Sequence, residues 1–347
     1  MATISDTPLA GNASARTLSV SDAGDGVAPV DSAHLLLQGD YARSGPDLVI
    51  TGSDGTQVVV RGFFTTDPPP ALHGPNGEVI AGDLAARLAG PIAPGQAAQA
   101  GTSASDAGGD VIGTVTSAKG TITATRADGT QVELQVGDPV YANDIIETSD
   151  GGGVGITFVD ETEFALGAGG RLVLDELVYD PATGDGSAQF SLMSGAFSFV
   201  SGQLAKAGPD AVAVRTPLAT IGIRGTSGSI NIGEGDLQVV LIPDADGAVG
   251  EIQVTTANGT TFSINNPMGA MRMAGGQVQT FVMSQQEFSQ TFGASLNNLS
   301  NAAALNTQVQ QTAPATPDDA PPAQTMQDGG PDQGQQDGPM DGPPPPP

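Results

Sequence analysis

The sequence predicts an all-β protein. The expected core is an antiparallel β-sandwich or roll, jelly-roll-like, with a solenoid-like curl of the sheet as the alternative. A C-terminal amphipathic helix and disordered termini complete it. Three observations carry this reading. Apolar residues alternate with polar ones through much of residues 111–282, as in Val132, Leu134 and Val136, or Ile156 and Phe158. A period of two puts alternate side chains on one face of a strand. Gly- and Asp-containing turns punctuate the pattern at Asp128-Gly129, Gly137-Asp138 and Gly151–Gly153. The chain also holds 49 Gly and 26 Pro but no Trp, a composition of many short strands joined by turns.

Taken in order, residues 1–30 are Ser-, Ala-, Gly- and Asp-rich with little periodicity and read as mostly disordered. Residues 31–90 read as a small N-terminal module. Its apolar runs Leu48–Ile50 and Val58–Val60 flank Asp54-Gly55, a hairpin turn because Gly tolerates positive φ and Asp bonds its own backbone. Asp83–Leu88 is a short helical candidate. Residues 91–110 are Ala, Gly, Gln and Ser, a linker. The main β domain spans 111–282. At Ser284 the period changes: Phe288, Phe292, Leu296 and Leu299 share one helical face. Ser284 with Glu287 reads as a capping box, Met283 with Phe288 as a hydrophobic staple, and the helix is expected over 285–304. Residues 312–347 are a Pro-, Asp- and Gln-rich acidic tail, expected to be disordered and ending in a polyproline stretch.

The charge balance narrows the function. Eleven basic residues against 38 acidic ones give a formal charge of −27, which repels phosphate backbones and argues against a nucleic-acid partner. With no Cys, disulfides, thiolate metal sites and Cys nucleophiles are excluded. No apolar run reaches ~18 residues, so no transmembrane helix is expected. The start, MATISDTPLAGNASARTLS, lacks a basic segment followed by an apolar core. The expectation is a leaderless route to the cell surface or medium, with a cytoplasmic location as the alternative.

Catalytic constellations are wanting. His34 and His73, both upstream of the main domain, are the only histidines. The acidic turns at 149–153, 159–163 and 179–187 are of a kind that binds Ca2+ weakly but lack EF-hand spacing. "GTSGS" (225–229) is not a nucleophile elbow, and "LGAGG" (166–170) lacks the Lys of a phosphate loop. Asp175 and Glu176 are neighbours in a strand and face opposite ways. The reading is therefore no enzyme, no catalytic residue, no metal and no cofactor. In "RTPLATIGIRGT" (215–226), Ala219, Ile221 and Ile223 share the core face of a strand, with Arg224 on the other. A guanidinium suits bidentate carboxylate pairing, so Arg224 is expected to clamp one sheet end to an acidic turn at Asp138, Asp144 or Asp160, with a ligand contact as the alternative role.

Several ordered motifs resemble the FecR domain family over roughly residues 111–235. They are Gly113, Val115 and Gly120; Gly137, Asp138, Asp144, Ile145 and Thr148; Ile156, Phe158, Asp160 and Thr162; and Gly195, Phe197 and Phe199. Thr216, Pro217, Ala219, Gly222, Arg224, Gly225 and Thr226 close the series. The resemblance implies a non-enzymatic domain with a protein partner. It is closer to the leaderless surface proteins of type I secretion than to the membrane-spanning regulator of siderophore uptake. The expected function is a protein-binding or scaffold module of the bacterial cell envelope or surface. A signal-transduction regulator of the anti-sigma type, or a cytoplasmic interaction protein, are the alternatives, with oligomeric state left open.

Overall fold

The computed structural model describes residues 5–8, 14–19, 27–91, 110–207 and 211–316. The linker read at 91–110 and the acidic tail fall almost wholly outside the described residues. Within 1–30 the structure differs from the irregular reading: β1 (Ser5–Pro8), β2 (Ser14–Ser19) and β3 (Val27–Pro29) are strands. Pairing supplies what local propensity lacks. β2 lies parallel to the second arm of the predicted hairpin, and β3 parallel to a strand at residues 71–73.

The N-terminal unit continues with α1 (Ala33–Gln38), β4 (Asp40–Ser44), β5 (Asp47–Thr51) and β6 (Gln57–Arg61). Asp54 accepts from the Thr56 amide at 2.9 Å and so closes the β5–β6 turn. A single 3-10 turn (Phe63–Thr65), β7 (Ala71–His73), β8 (Val79–Ile80) and α2 (Gly82–Leu88) follow. The strands form two small sheets, β1-β2-β6-β5-β4 and β3-β7-β8. Leu36, Leu48, Ile50, Val60, Phe63 and Leu72 are fully buried among them.

The alternating region folds into β9 (Val111–Lys119), β10 (Ile122–Thr125), β11 (Gln131–Glu133), β12 (Pro139–Tyr141), β13 (Ile145–Thr148) and β14 (Gly153–Phe158). It goes on through β15 (Glu163–Leu166), β16 (Arg171–Tyr179), the 15-residue β17 (Gly186–Val200), a short helix α3 (Leu204–Ala207), β18 (Val212–Arg215) and β19 (Ala219–Arg224). β20 (Ser227–Gly233), β21 (Asp236–Ile242), β22 (Glu251–Thr256), β23 (Thr261–Ile264), β24 (Gly269–Ala274) and β25 (Gln277–Val282) complete it.

These strands make two facing sheets joined through β17. Its first half pairs with β16 and β18, its second half with β15 and β20. One sheet runs β11-β10-β13-β16-β17-β18-β19-β22-β23; the other runs β12-β9-β14-β15-β17-β20-β21-β24-β25. Every pair within them is antiparallel except β17–β18. From β18 on, successive hairpins are laid in alternate sheets, so the sandwich grows in one direction along the chain. Between the sheets lies a ring stack: Phe158, Phe164, Phe190 and Phe197 meet with centroids 4.4–5.0 Å apart. Offset and edge-on aromatic contacts of this kind add to the burial of each ring.

The C-terminal helix ends early. α4 (Gln285–Leu296) has the predicted capping box at Ser284 and Glu287, but a turn follows and α5 (Ala302–Thr312) is separate. The single helix over 285–304 is thereby corrected. Asn297, Asn298, Ser300 and Asn301 interrupt it, residues whose side chains compete for backbone bonds. Together α4 and α5 cover the outer face of the second sheet, burying Phe288, Phe292, Leu296, Leu305 and Val309 against Val240, Ile242 and Ala270. Among the described residues no helix is long and apolar enough to cross a membrane.

Candidate functional site

The family-motif residues spend their polar groups on turns and seams. Gly137 takes φ 96° and its amide donates to Val115 O at 2.8 Å; the Asp138 carboxylate accepts from the Gln135 amide at 2.8 Å. Asp144 is buried and accepts from the Tyr141 amide at 2.8 Å and from Arg126 Nη1, whose guanidinium also stacks 4.7 Å over the Tyr141 ring. Burial pushes the Asp144 carboxyl above its ordinary range, and the Tyr141 amide and Arg126 offset part of that rise. Phe158 belongs to the ring stack. Asp160, wholly buried, accepts from the Thr162 amide (3.1 Å) and hydroxyl (2.6 Å). The Thr162 hydroxyl in turn accepts from the Gly202 amide at 3.0 Å.

The last motif is a turn and a strand. Thr216 Oγ1 accepts from the Ala219 amide at 2.9 Å and donates to Ala219 O at 2.7 Å, closing a side-chain turn around Pro217. Pro217 O accepts from the Val79 amide at 2.7 Å, which ties β8 to the start of β19. Gly222 sits opposite Gln253 on the outer face. Gly225 takes φ 52°, and the Thr226 amide donates to Ser201 Oγ at 2.8 Å.

Arg224 is not the expected clamp. Its side chain is 63% exposed and lies 3.9 Å from Glu251, its cross-strand neighbour. Asp138, Asp144 and Asp160 are engaged by other groups, and the outward face of β19 leaves Arg224 in solvent. Three other arginines do the clamping. Arg126 holds Asp144. Arg171 bonds Glu147 and donates to Gly39 O at 2.8 Å. Arg87 Nη2 lies 2.6 Å from Asp175 Oδ1, and Ser191 donates to the other Asp175 oxygen at 2.7 Å.

The last two define the principal seam, where the N-terminal unit lies on the outer face of the first sheet. Arg171, Val173 and Asp175 alternate outward on β16, and all three are buried. Val173, Ile145 and Met193 join the apolar cluster of the N-terminal unit. His34 on α1 adds a contact, its Nδ1 3.1 Å from Glu234. His73 lies in β7. At the seam a cavity of about 240 Å³ opens, lined by Val79, Leu84, Met193, Arg215, Leu218 and Thr220 among others. Arg87 and Ser191 face it, but both are held by Asp175, and no imidazole lines it. Burial raises the Asp175 carboxyl; the Ser191 hydroxyl, Arg87 and Arg215 offset this in part. The cavity has the shape and mixed lining to hold a small group by contact. The hydroxyl–carboxylate pair on its wall is Ser191 with Asp175, and Arg87 lies against the same carboxylate.

Sequence reasoning missed this seam. The available signal was "RLVLDELV", which carries apolar residues on both faces of the strand, Val173 on one and Leu172 and Leu174 on the other, the pattern of a strand covered on both sides. Among the described residues no group of three His, Cys, Asp or Glu side chains converges to hold a metal ion.

Residues 144–249 match the family described as FecR protein. That span starts later than Gly113 and ends beyond residue 235. No curated protein matches the chain. Among solved structures, a cell surface anchoring domain is 32% identical, over 18% of this chain and 83% of that one, with a TM-score of 0.18. A protein from Parabacteroides distasonis described as an anti-sigma factor, solved at 2.50 and at 1.65 Å, is 16% identical with a TM-score of 0.29. The alignment covers 39% of this chain and 58% of that one. The FecR match thus runs from Asp144, just before β13, past the end of β21 into the acidic turn that follows.

Proposed function

We propose that this chain is a non-enzymatic scaffold: a FecR-domain module of the bacterial cell envelope or surface that presents faces for a protein partner. One observation carries the reading. Apart from the exposed Arg224, the polar groups of the motif residues are largely engaged in holding the fold, Asp144 by Arg126 and Tyr141, Asp160 by Thr162, Thr216 by Ala219, and Pro217 O by Val79. Groups so engaged are not poised for proton transfer or attack. The charge of −27 suits a chain that stays soluble among anionic surfaces and keeps away from nucleic acid. No cofactor belongs to this reading, and calcium at the acidic turns is at most weak and adventitious.

The test is location. Intact cells are treated with added protease, then fractionated. A surface module is trimmed in intact cells and recovered with envelope or medium. Recovery only in the cytosol, untouched by protease, contradicts the proposal. The FecR match favours one second reading, a regulator that relays a signal between proteins. Under that reading, deleting the chain changes transcription of a sigma-factor-dependent gene set; the scaffold reading predicts no such change.

A further inference from the structure

The two ends of the sandwich are finished differently. At one end the edge strands are β11 (QVE) and β12 (PVY), three residues each, with Glu133 and Pro139 in them. Short length, charge and Pro are the usual protection of an edge against pairing. The connection between these strands also closes the core, because Leu134 is 3% exposed and its amide donates to Ile122 O at 2.9 Å. At the other end the edges are β23 (TFSI) and β25 (QVQTFV). Neither contains a charge or a Pro, and among the described residues neither has a strand on its outer side. Between them the core is only partly covered: Phe262 of β23 and Val278 of β25 are part-buried against it and, with Met273 of β24, help line a cavity of about 220 Å³ that Asn76 and Gly77 of the N-terminal unit also border.

We infer that this end is an association surface and that its occupant is a second copy of this chain. The geometry selects the occupant. Two neutral edges, one in each sheet, must be met together. A two-fold axis perpendicular to both sheets sets β25 antiparallel to its copy and, by the same rotation, β23 antiparallel to its copy. Both sheets then continue across the seam with the antiparallel pairing that dominates within each. The half-open cores close on one another, and the contact is self-complementary and stops at a dimer. A single extended peptide satisfies one edge and leaves the other bare. This inference goes beyond the scaffold reading and does not depend on where the protein resides.

Sedimentation of the full chain over a range of concentrations tests it. The expected result is a monomer–dimer equilibrium without larger species. It strengthens as salt rises from about 0.05 to 0.5 M, because screening relieves the repulsion between two strongly acidic copies. The double variant Gln277→Glu with Gln279→Glu sets like charges across the seam and raises the dissociation constant by about tenfold or more. Gln279 lies opposite Arg272, so the variant keeps the melting temperature of the dilute monomer. A chain that stays monomeric throughout, a dimer indifferent to the variant, or open-ended growth overturns the inference. So does slow hydrogen exchange, in the dilute monomer, at the alternate amides of 277–282 that point away from β24, which assigns the edge to another segment of this chain. Exchange that slows only as dimer forms supports it.

Discussion

At the scale of single residues, the position of a charge decides its worth. Arg224 and Glu251 form an exposed cross-strand pair, and such pairs contribute about 0–1 kcal/mol. Arg224→Ala is therefore expected to shift stability by less than about 1 kcal/mol, read by denaturant unfolding. A loss of several kcal/mol restores the clamp. Arg87→Ala is the contrasting case. It strands the Asp175 carboxylate, whose side chain is 2% exposed, and costs about 3 kcal/mol or more at neutral pH. Burial raises the carboxyls of Asp144, Asp175 and Asp244 above their unfolded value of about 3.9. The folded state then holds these protons more tightly than the unfolded chain. Their linkage terms favour folding below the raised values, and that advantage is lost as pH rises through the window above about 3.9. Lowering pH also relieves the repulsion of a net −27 charge. The melting temperature is expected to rise as pH is lowered from neutrality toward about 3.9, the reverse of a protein whose buried acids titrate low. A fall across that range contradicts it. Asp54 and Asp128, whose turn hydrogen bonds lower their carboxyls, act in the opposite sense, their stabilisation being lost below about pH 3.9.

At the scale of elements, what was legible followed local rules. The β5–β6 hairpin at Asp54-Gly55 and the Ser284–Glu287 cap are written in adjacent residues, and both stand as read. The run of α4 into α5 was not legible. Phe288 to Leu299 keep one stripe, but the Asn-rich turn ends the helix within it. Arg224 failed for a related reason. Alternation placed it outside the core, yet nothing local says which carboxylates reach it. The pairs Arg87–Asp175 and Arg171–Gly39 join residues far apart in sequence, and only the folded sheets bring them together. Long β17 couples both sheets through its rings. Phe190 is fully buried and stacks on Phe158 and Phe164. Phe190→Ala is expected to cost about 3–5 kcal/mol and to loosen both sheets at once. Unfolding followed by hydrogen exchange in β13 and β20 checks it. Loss confined to one sheet contradicts the coupling.

At the scale of the whole molecule, the all-β class came from periodicity and turns, and antiparallel sheets filled with alternating side chains are what formed. The order of strands was beyond periodicity. A period of two says which face is apolar but not which sheet receives each hairpin. The docked N-terminal unit was likewise invisible, except in the doubly apolar "RLVLDELV". The central claim is that motif residues fix a shape, with Pro217 and the Arg87–Asp175 pair fastening the N-terminal unit to the β-sandwich. Site-resolved hydrogen exchange at the Val79 amide, comparing the native chain with Arg87→Ala, tests this most directly. The account predicts slow exchange at Val79 in the native chain. In the variant Val79 speeds up, while the amides of β20 and β21 keep their protection. Rapid exchange at Val79 in the native chain, or no change in the variant, contradicts it.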